Sequence, residues 1–176
     1  MSIRDFEKHS PEIADSAFID ESAIIIGKVK IAEDVSVWPL VAIRGDVNTI
    51  TIGARTNIQD GSVLHVTHDS EYSPGGFALN IGKSVTVGHK VILHACTIGD
   101  HCLVGMGSTV LDGAILEDNV MLGANSLVSP GKRLESGYLY LGSPAKKIRS
   151  LTEKEMGWLD YSASHYVALK DRYKKA

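Results

Sequence analysis

An aliphatic side chain returns every six residues along most of this chain. Ile13, Ile19, Ile25, Ile31, Val37 and Ile43 set the interval, and Ile52, Ile58 and Leu64 continue it after a slip. Ile81, Val87 and Leu93 resume it after a longer break, and Ile98, Val104, Val110, Leu116, Leu122 and Val128 carry it on. Four residues after these comes a small or β-branched residue: Ala17, Ala23, Val29, Val35, Val41, Thr56, Ser62, Val85, Val91, Thr97, Ser108, Ala114, Val120 and Ser126. A helix places apolar residues three, four and seven apart, and a plain amphipathic strand alternates every second residue; neither describes this register. Gly and Asp or Asn recur between the aliphatic positions (Gly27, Gly53, Gly82, Gly88, Gly99, Gly105; Asp34, Asp100, Asp118, Asn119, Asn125), where a chain that turns every few residues needs permissive backbone. The spacing therefore predicts an all-β solenoid of very short strands and tight turns.

Two irregularities mark places where the coil departs from itself. Nine residues rather than six separate Ile43 from Ile52, and seventeen separate Leu64 from Ile81. The longer insertion, residues 67–80, holds Asp69, Ser70, Ser73, Pro74, Gly75 and Gly76, and reads as a loop projecting from one face. The repeat fades near Gly142. Beyond it Thr152 and Glu155 form a capping box, and Leu159, Ala163, Tyr166 and Tyr173 share one helical stripe. The expected organisation is a coil over 1–145 and a C-terminal α-helix segment over 146–176, packed on the coil or on a neighbour.

With 18 basic and 21 acidic residues and no long run of one sign, the chain lacks the electrostatic footprint of a nucleic-acid or anionic-lipid binder. The first ten residues have no apolar stretch and nowhere do about 18 apolar residues follow one another, so a cytoplasmic protein is expected. Cys96 and Cys102 are too few for a disulfide framework and fit small core positions.

The register singles out three of the seven histidines. Leu64 and Leu93 lie three hexads apart once the loop is set aside, so His65 and His94, which follow them, fall on the same face of successive coils. Stacked parallel strands sit about 4.7–4.9 Å apart, close enough for two imidazoles to share a metal. His89 belongs to the preceding hexad and a different face, so it could join the pair only from a second subunit of a closed trimer. By the same count Arg44 stacks one coil before His65, and Asp60 lies beneath His89, as a second acceptor on that ring or as a partner for Arg44 across the interface. His9, His101 and His165 read as surface or locally bonded residues. His68 in the loop is a candidate proton shuttle, and Tyr161 on the helix a candidate contact with a neighbouring site.

Arg44-Gly45-Asp46, Asn57-Ile58-Gln59-Asp60, His65, and Gly88-His89 followed by His94 resemble, in order and approximate spacing, the γ-class carbonic anhydrases of the hexapeptide-repeat superfamily. The resemblance spans nearly the whole repeat region. It implies a left-handed parallel β-helix with three hexads per coil, a homotrimer, and zinc held by His65 and His94 of one subunit and His89 of the next. It also implies that Arg44 and Asp46 pair near the interface, that Gln59 bonds the metal-bound water and that Asn57 orients carbon dioxide or bicarbonate. Iron or cobalt suits the same imidazoles. Val47 stands where the best-known active member has an acidic residue after Arg-Gly-Asp. Two alternatives share the coil: an acyltransferase using acyl-CoA, a class that often ends in a segment like Gly142-Ser143-Pro144-Ala145-Lys146, and a metal-binding trimeric scaffold without turnover.

Overall fold

The computed structural model describes residues 2–175 and is a left-handed parallel β-solenoid of about eight coils closed by one helix. Each coil lays three short strands on three faces of a prism. The first face stacks Ala42 onto Val63, then Val63–His65, Ile92–His94, Thr109–Val110 and Leu127–Val128. The second stacks Leu79–Ile81, Thr97–Ile98, Ile115–Leu116 and Arg133–Leu134. The third carries Phe18–Ile19, Ser36–Val37, Asn57–Ile58, Thr86–Val87, Leu103–Val104, Met121–Leu122 and Tyr138–Leu141. Every hexad starter from Ile25 to Val128 points inward, most of them with no exposed surface.

The corners explain the permissive residues. Asp34, Arg55, Ser84, His101 and Asn119 take positive φ at the turn from the second face to the third, and Leu40, Lys90 and Asn125 do so from the third to the first. At the corners, glycine is also required where coils touch. A Cβ on Gly53 would stand 2.6 Å from the carbonyl carbon of Gly82 in the next coil.

Thr97 departs from its expected inward position. Only five residues separate Leu93 from Ile98, Ala95 takes φ 51°, and Cys96 turns into the core while Thr97 faces out. Burial holds both cysteines as thiols, pushing Cys102 to about 12 and Cys96 higher still. The first insertion leaves the phase intact. Ala42–Ile52 is one strand that rounds a corner, pairing Ile43 with Leu64 and Ile52 with Ile81, and the extra residues bulge out between Gly45 and Ile50.

Lys146–Ser150 is not helical. It returns antiparallel to Tyr138–Leu141, and the helix runs over Glu153–Tyr173 behind the Thr152 capping box. The helix packs on the third face of its own coil. Leu159 and Ala163 are buried there, Ser162 Oγ lies 2.9 Å from Thr86 Oγ1, and Tyr166 and Tyr173 pack edge-on against Trp38. Lys170 is buried against Asp34 at 2.9 Å. Among the described residues, no helix is long and apolar enough to cross a membrane.

The Gly53 contact gives a test of the coil spacing. Gly53→Ala should lower stability by about 1–3 kcal/mol, the usual cost of overpacking, read as a lower urea midpoint. An unchanged midpoint would mean that the coils separate at no cost.

Candidate metal centre

His65 and His94 are register partners on adjacent strands of the first face. Their side chains lie half-buried at the trailing edge of that face, with His65 Nδ1 3.2 Å from His94 Nε2. Each ring is held on its far side by a carboxylate: His65 Nε2 lies 3.1 Å from Asp46 Oδ1, and His94 Nδ1 lies 2.9 Å from Asp112 Oδ2. Asp46 reaches His65 because it stands on the bulge made by the first insertion, where Arg44 also bonds it.

Burial would raise the Asp46 carboxyl, but its bonds to Arg44, His65 and the Val47 amide outweigh this and hold it below the ordinary value. For Asp112, burial is likewise outweighed, by bonds from Thr67 and His94. Both carboxylates are therefore ionised and accept. His65 is pulled below its ordinary value by burial, aided by Arg44 and His94 and opposed by Asp46, so its ring is neutral at neutral pH.

His89 does not lie on a separate face, as the hexad count implies; the turn after Thr86–Val87 carries it to the opposite, leading edge of the face that holds Ile92–His94. Asp60 lies beneath it, with Oδ2 3.0 Å from His89 Nδ1, as the register predicts. His89 and His94 thus begin and end one face of one coil, five residues apart in the chain. Among the described residues, no three His, Cys, Asp or Glu side chains are placed to hold a metal ion within one chain.

Gln59 and Asn57 lie on the third face, just before the His89 corner. Gln59 Nε2 donates to Asn57 Oδ1 at 3.0 Å, and Asn57 Nδ2 donates to Thr86 Oγ1 at 3.0 Å, which in turn meets Ser162 of the helix. Asn57 is wholly buried within the chain and acts there on Gln59. His68 is exposed on the loop, His101 is bonded to Asp160, and Tyr161 is exposed between Trp158 and His165.

Asp112 has no counterpart among the residues expected from the sequence. It lies in a Leu-Asp-Gly turn whose composition suits a corner, and the register partner of Leu93 is Val110, two residues earlier. The one signal available was that a neutral ligand histidine needs an acceptor on its other nitrogen.

Residues 95–130 match the family described as bacterial transferase hexapeptide (six repeats). Protein YrdA of Escherichia coli is 61% identical over 97% of this chain and 93% of its own length. Gamma carbonic anhydrase 2, mitochondrial, of Arabidopsis thaliana is 42% identical over 93% of this chain and 58% of its own length. The chain belongs to the γ-carbonic-anhydrase-like hexapeptide-repeat proteins. A hexapeptide transferase family protein from Anaplasma phagocytophilum, known from its crystal structure, superposes with a TM-score of 0.89 at 43% identity over 98% of both chains.

The electrostatics of His65 give a signed expectation for this branch of the family. In metal-free protein its ring should titrate below 6.5. Its protonation therefore costs stability as pH falls through 6.5, where the unfolded chain takes up the proton first, and costs nothing above that value. Asp46→Asn should drive the midpoint lower still, since the carboxylate opposes the effect of burial. Histidine ring resonances followed by NMR against pH check both, and a rise in the variant would contradict the account.

Proposed function

We propose that this protein is a trimeric, zinc-dependent hydratase that interconverts carbon dioxide and bicarbonate, with its metal held between subunits by His65 and His94 of one and His89 of the next. One observation carries the reading. With N–H groups given to Asp46 and Asp112, the remaining nitrogens of His65 and His94 both bear lone pairs, and they face each other at 3.2 Å. Two lone pairs so placed repel unless a cation lies between them. Imidazole nitrogens on one tetrahedral zinc, with bonds of about 2.0–2.1 Å, stand about 3.3 Å apart, so the pair fits. Iron and cobalt are served by the same donors.

The third ligand follows from the placement of the edges. The first face carries no helix and exposes Val63 and Ile92, while His89 stands at its leading edge and the pair at its trailing edge. A head-to-tail contact between copies sets leading edge against trailing edge, and three copies close the ring.

When bound, such a metal supplies Lewis acidity that lowers the pKa of water toward 7. The chain's own groups do the rest. Asp46, Asp112 and Asp60 would each accept one ring N–H, which leaves the other nitrogen of each ring for the metal. Gln59, its amide nitrogen committed to Asn57, keeps Oε1 as an acceptor that can orient the attacking water at the His89 side of the contact. Arg44, paired with Asp46, brings positive charge beside developing bicarbonate. The released proton needs an exposed base, and His68 at the start of the loop is such a group.

An acyl-CoA transferase is the second reading, favoured by the names of the matched family and of the Anaplasma relative and by the Gly142–Lys146 tail. It needs no metal. A scaffold predicts metal without turnover.

Complementation tests the interfacial site. His89→Ala and His94→Ala proteins should each lose most bound zinc and carbon dioxide hydration. Denatured and refolded together in equal amounts, they should regain about one quarter of the sites, because random closed trimers place an intact pair beside an intact His89 at that frequency. No recovery from well-folded mixed trimers excludes a shared site. Zinc recovery without hydration, with acetyl transfer from acetyl-CoA to an amine or sugar, would favour the transferase.

A further inference from the structure

The loop that interrupts the coil is tied to the histidine pair through Asp112. One oxygen of that carboxylate meets His94 Nδ1 at 2.9 Å, and the other accepts the Thr67 hydroxyl. Thr67 is the first closed rung of the loop: its N–H and C=O both bond Phe77 at 3.0 Å, and its C=O also receives Asn48 Nδ2 from the first insertion at 3.2 Å. The ring of Phe77 lies over the Asp112–Gly113 turn, 3.5 Å from where a Cβ on Gly113 would stand. Both insertions therefore converge on Thr67, and Thr67 and a histidine share one carboxylate.

We infer that Asp112 is a positioning residue that fixes His94 as its Nδ1–H tautomer and, through Thr67, couples the order of loop 66–78 to occupancy of the histidine pair. The tautomer follows from donors and acceptors. Asp112 can only accept, so the His94 proton sits on Nδ1 and the Nε2 lone pair is turned toward His65. Without the carboxylate, Nε2–H can donate to His65 Nδ1 instead, which blocks both nitrogens at once. The coupling follows from sharing. A cation on Nε2 makes the Nδ1–H more acidic and strengthens its bond to Asp112, which narrows the positions the carboxylate can take and with them those of the Thr67 hydroxyl; by linkage, whatever orders the loop strengthens the pair's hold on the cation. This second half rests on the metal-centre reading, while the first does not.

The experiment has a metal-free and a metal-loaded arm, both on the assembled protein. In the first, nitrogen NMR of the His94 ring should report Nδ1–H in wild type and in Thr67→Val, and a shift toward Nε2–H in Asp112→Ala. An unchanged tautomer in a folded Asp112→Ala protein overturns the positioning role. In the second, Asp112→Ala should weaken zinc binding by roughly 10–100-fold, measured by competition with a chromophoric chelator. Zinc should slow amide hydrogen exchange over 66–78 by roughly fivefold or more in wild type and in Thr67→Ser, which keeps the hydroxyl, but not in Thr67→Val. Equal slowing in Thr67→Val overturns the coupling. If wild type takes up no zinc, the metal-centre reading and the coupling fall together, and the tautomer measurement still decides the role of Asp112.

Discussion

The stacking of one coil on the next at a fixed spacing is what everything else here depends on. Backbone groups of each short strand pair with the coil above and the coil below, so a residue's neighbour across the sheet is set by the length of one coil. A change in that length would move every later side chain unless a bulge or a left-handed turn absorbs it, as the first insertion and Ala95 do here. The glycines at the corners exist to keep the spacing, as the contact between Gly53 and Gly82 illustrates. Chemistry is then obtained by registration: a histidine at a given step of one coil comes to lie on a histidine at the same step of another. His65 and His94 meet for this reason, although 29 residues separate them.

Where the coil is regular it builds only a prism, and the chemistry gathers where it is irregular. The first insertion does not disturb the core, since Ile43 and Ile52 keep their partners, but it lifts Asp46 out to His65 and Asn48 to Thr67. The second provides Thr67 and Phe77 beside Asp112. Both occur at the corner between the first and second faces. The helix serves the other edge: Ser162 ends the hydrogen-bonded series that runs through Thr86 and Asn57 to Gln59. Burial raises the Tyr166 hydroxyl of the helix, and Asp60, the acceptor of His89, adds to that effect.

Counting in sixes was enough to read the solenoid, the stacking of His65 on His94 and the position of Asp60 under His89, because all three are consequences of register. What the count missed depends on local conformation. A count of four from Leu93 puts Thr97 inward, but the step from Leu93 to Ile98 is one residue short; a left-handed Ala95 absorbs the shortening, and Cys96 takes the core position. Lys146–Ser150 joins the sheet with an antiparallel pairing that a parallel repeat does not announce. Asp112 escaped because it is not the register partner of His94; it reaches that ring from a turn, and an Asp before Gly in a turn has an ordinary local use. Lys170 is a different case: it stands on the helical stripe between Tyr166 and Tyr173, where only its charge argues for the surface, and Asp34 and Asp171 let it be buried there.

Placing the proposed ligands at opposite edges of one face has a consequence for assembly and activity together. In a chain that carried all three histidines at one edge, a monomer could bind metal and turn over, and oligomerisation would be incidental. Here His94 and His89 bound the same strand from its two ends, so no bending of a rigid, fully paired coil brings them together. In the proposed trimer, occupancy would depend on the contact between copies, and the contact would in turn be strengthened by whatever bridges it. The uncovered face with Val63 and Ile92 would supply apolar area for that contact, with the charged pairs Arg44–Asp46 and His89–Asp60 at its two edges. The same arrangement accounts for why each ring needs its own carboxylate from its own subunit. A ligand that waits at an edge for a partner must already be in the right tautomer, because the protein that would otherwise orient it belongs to another chain.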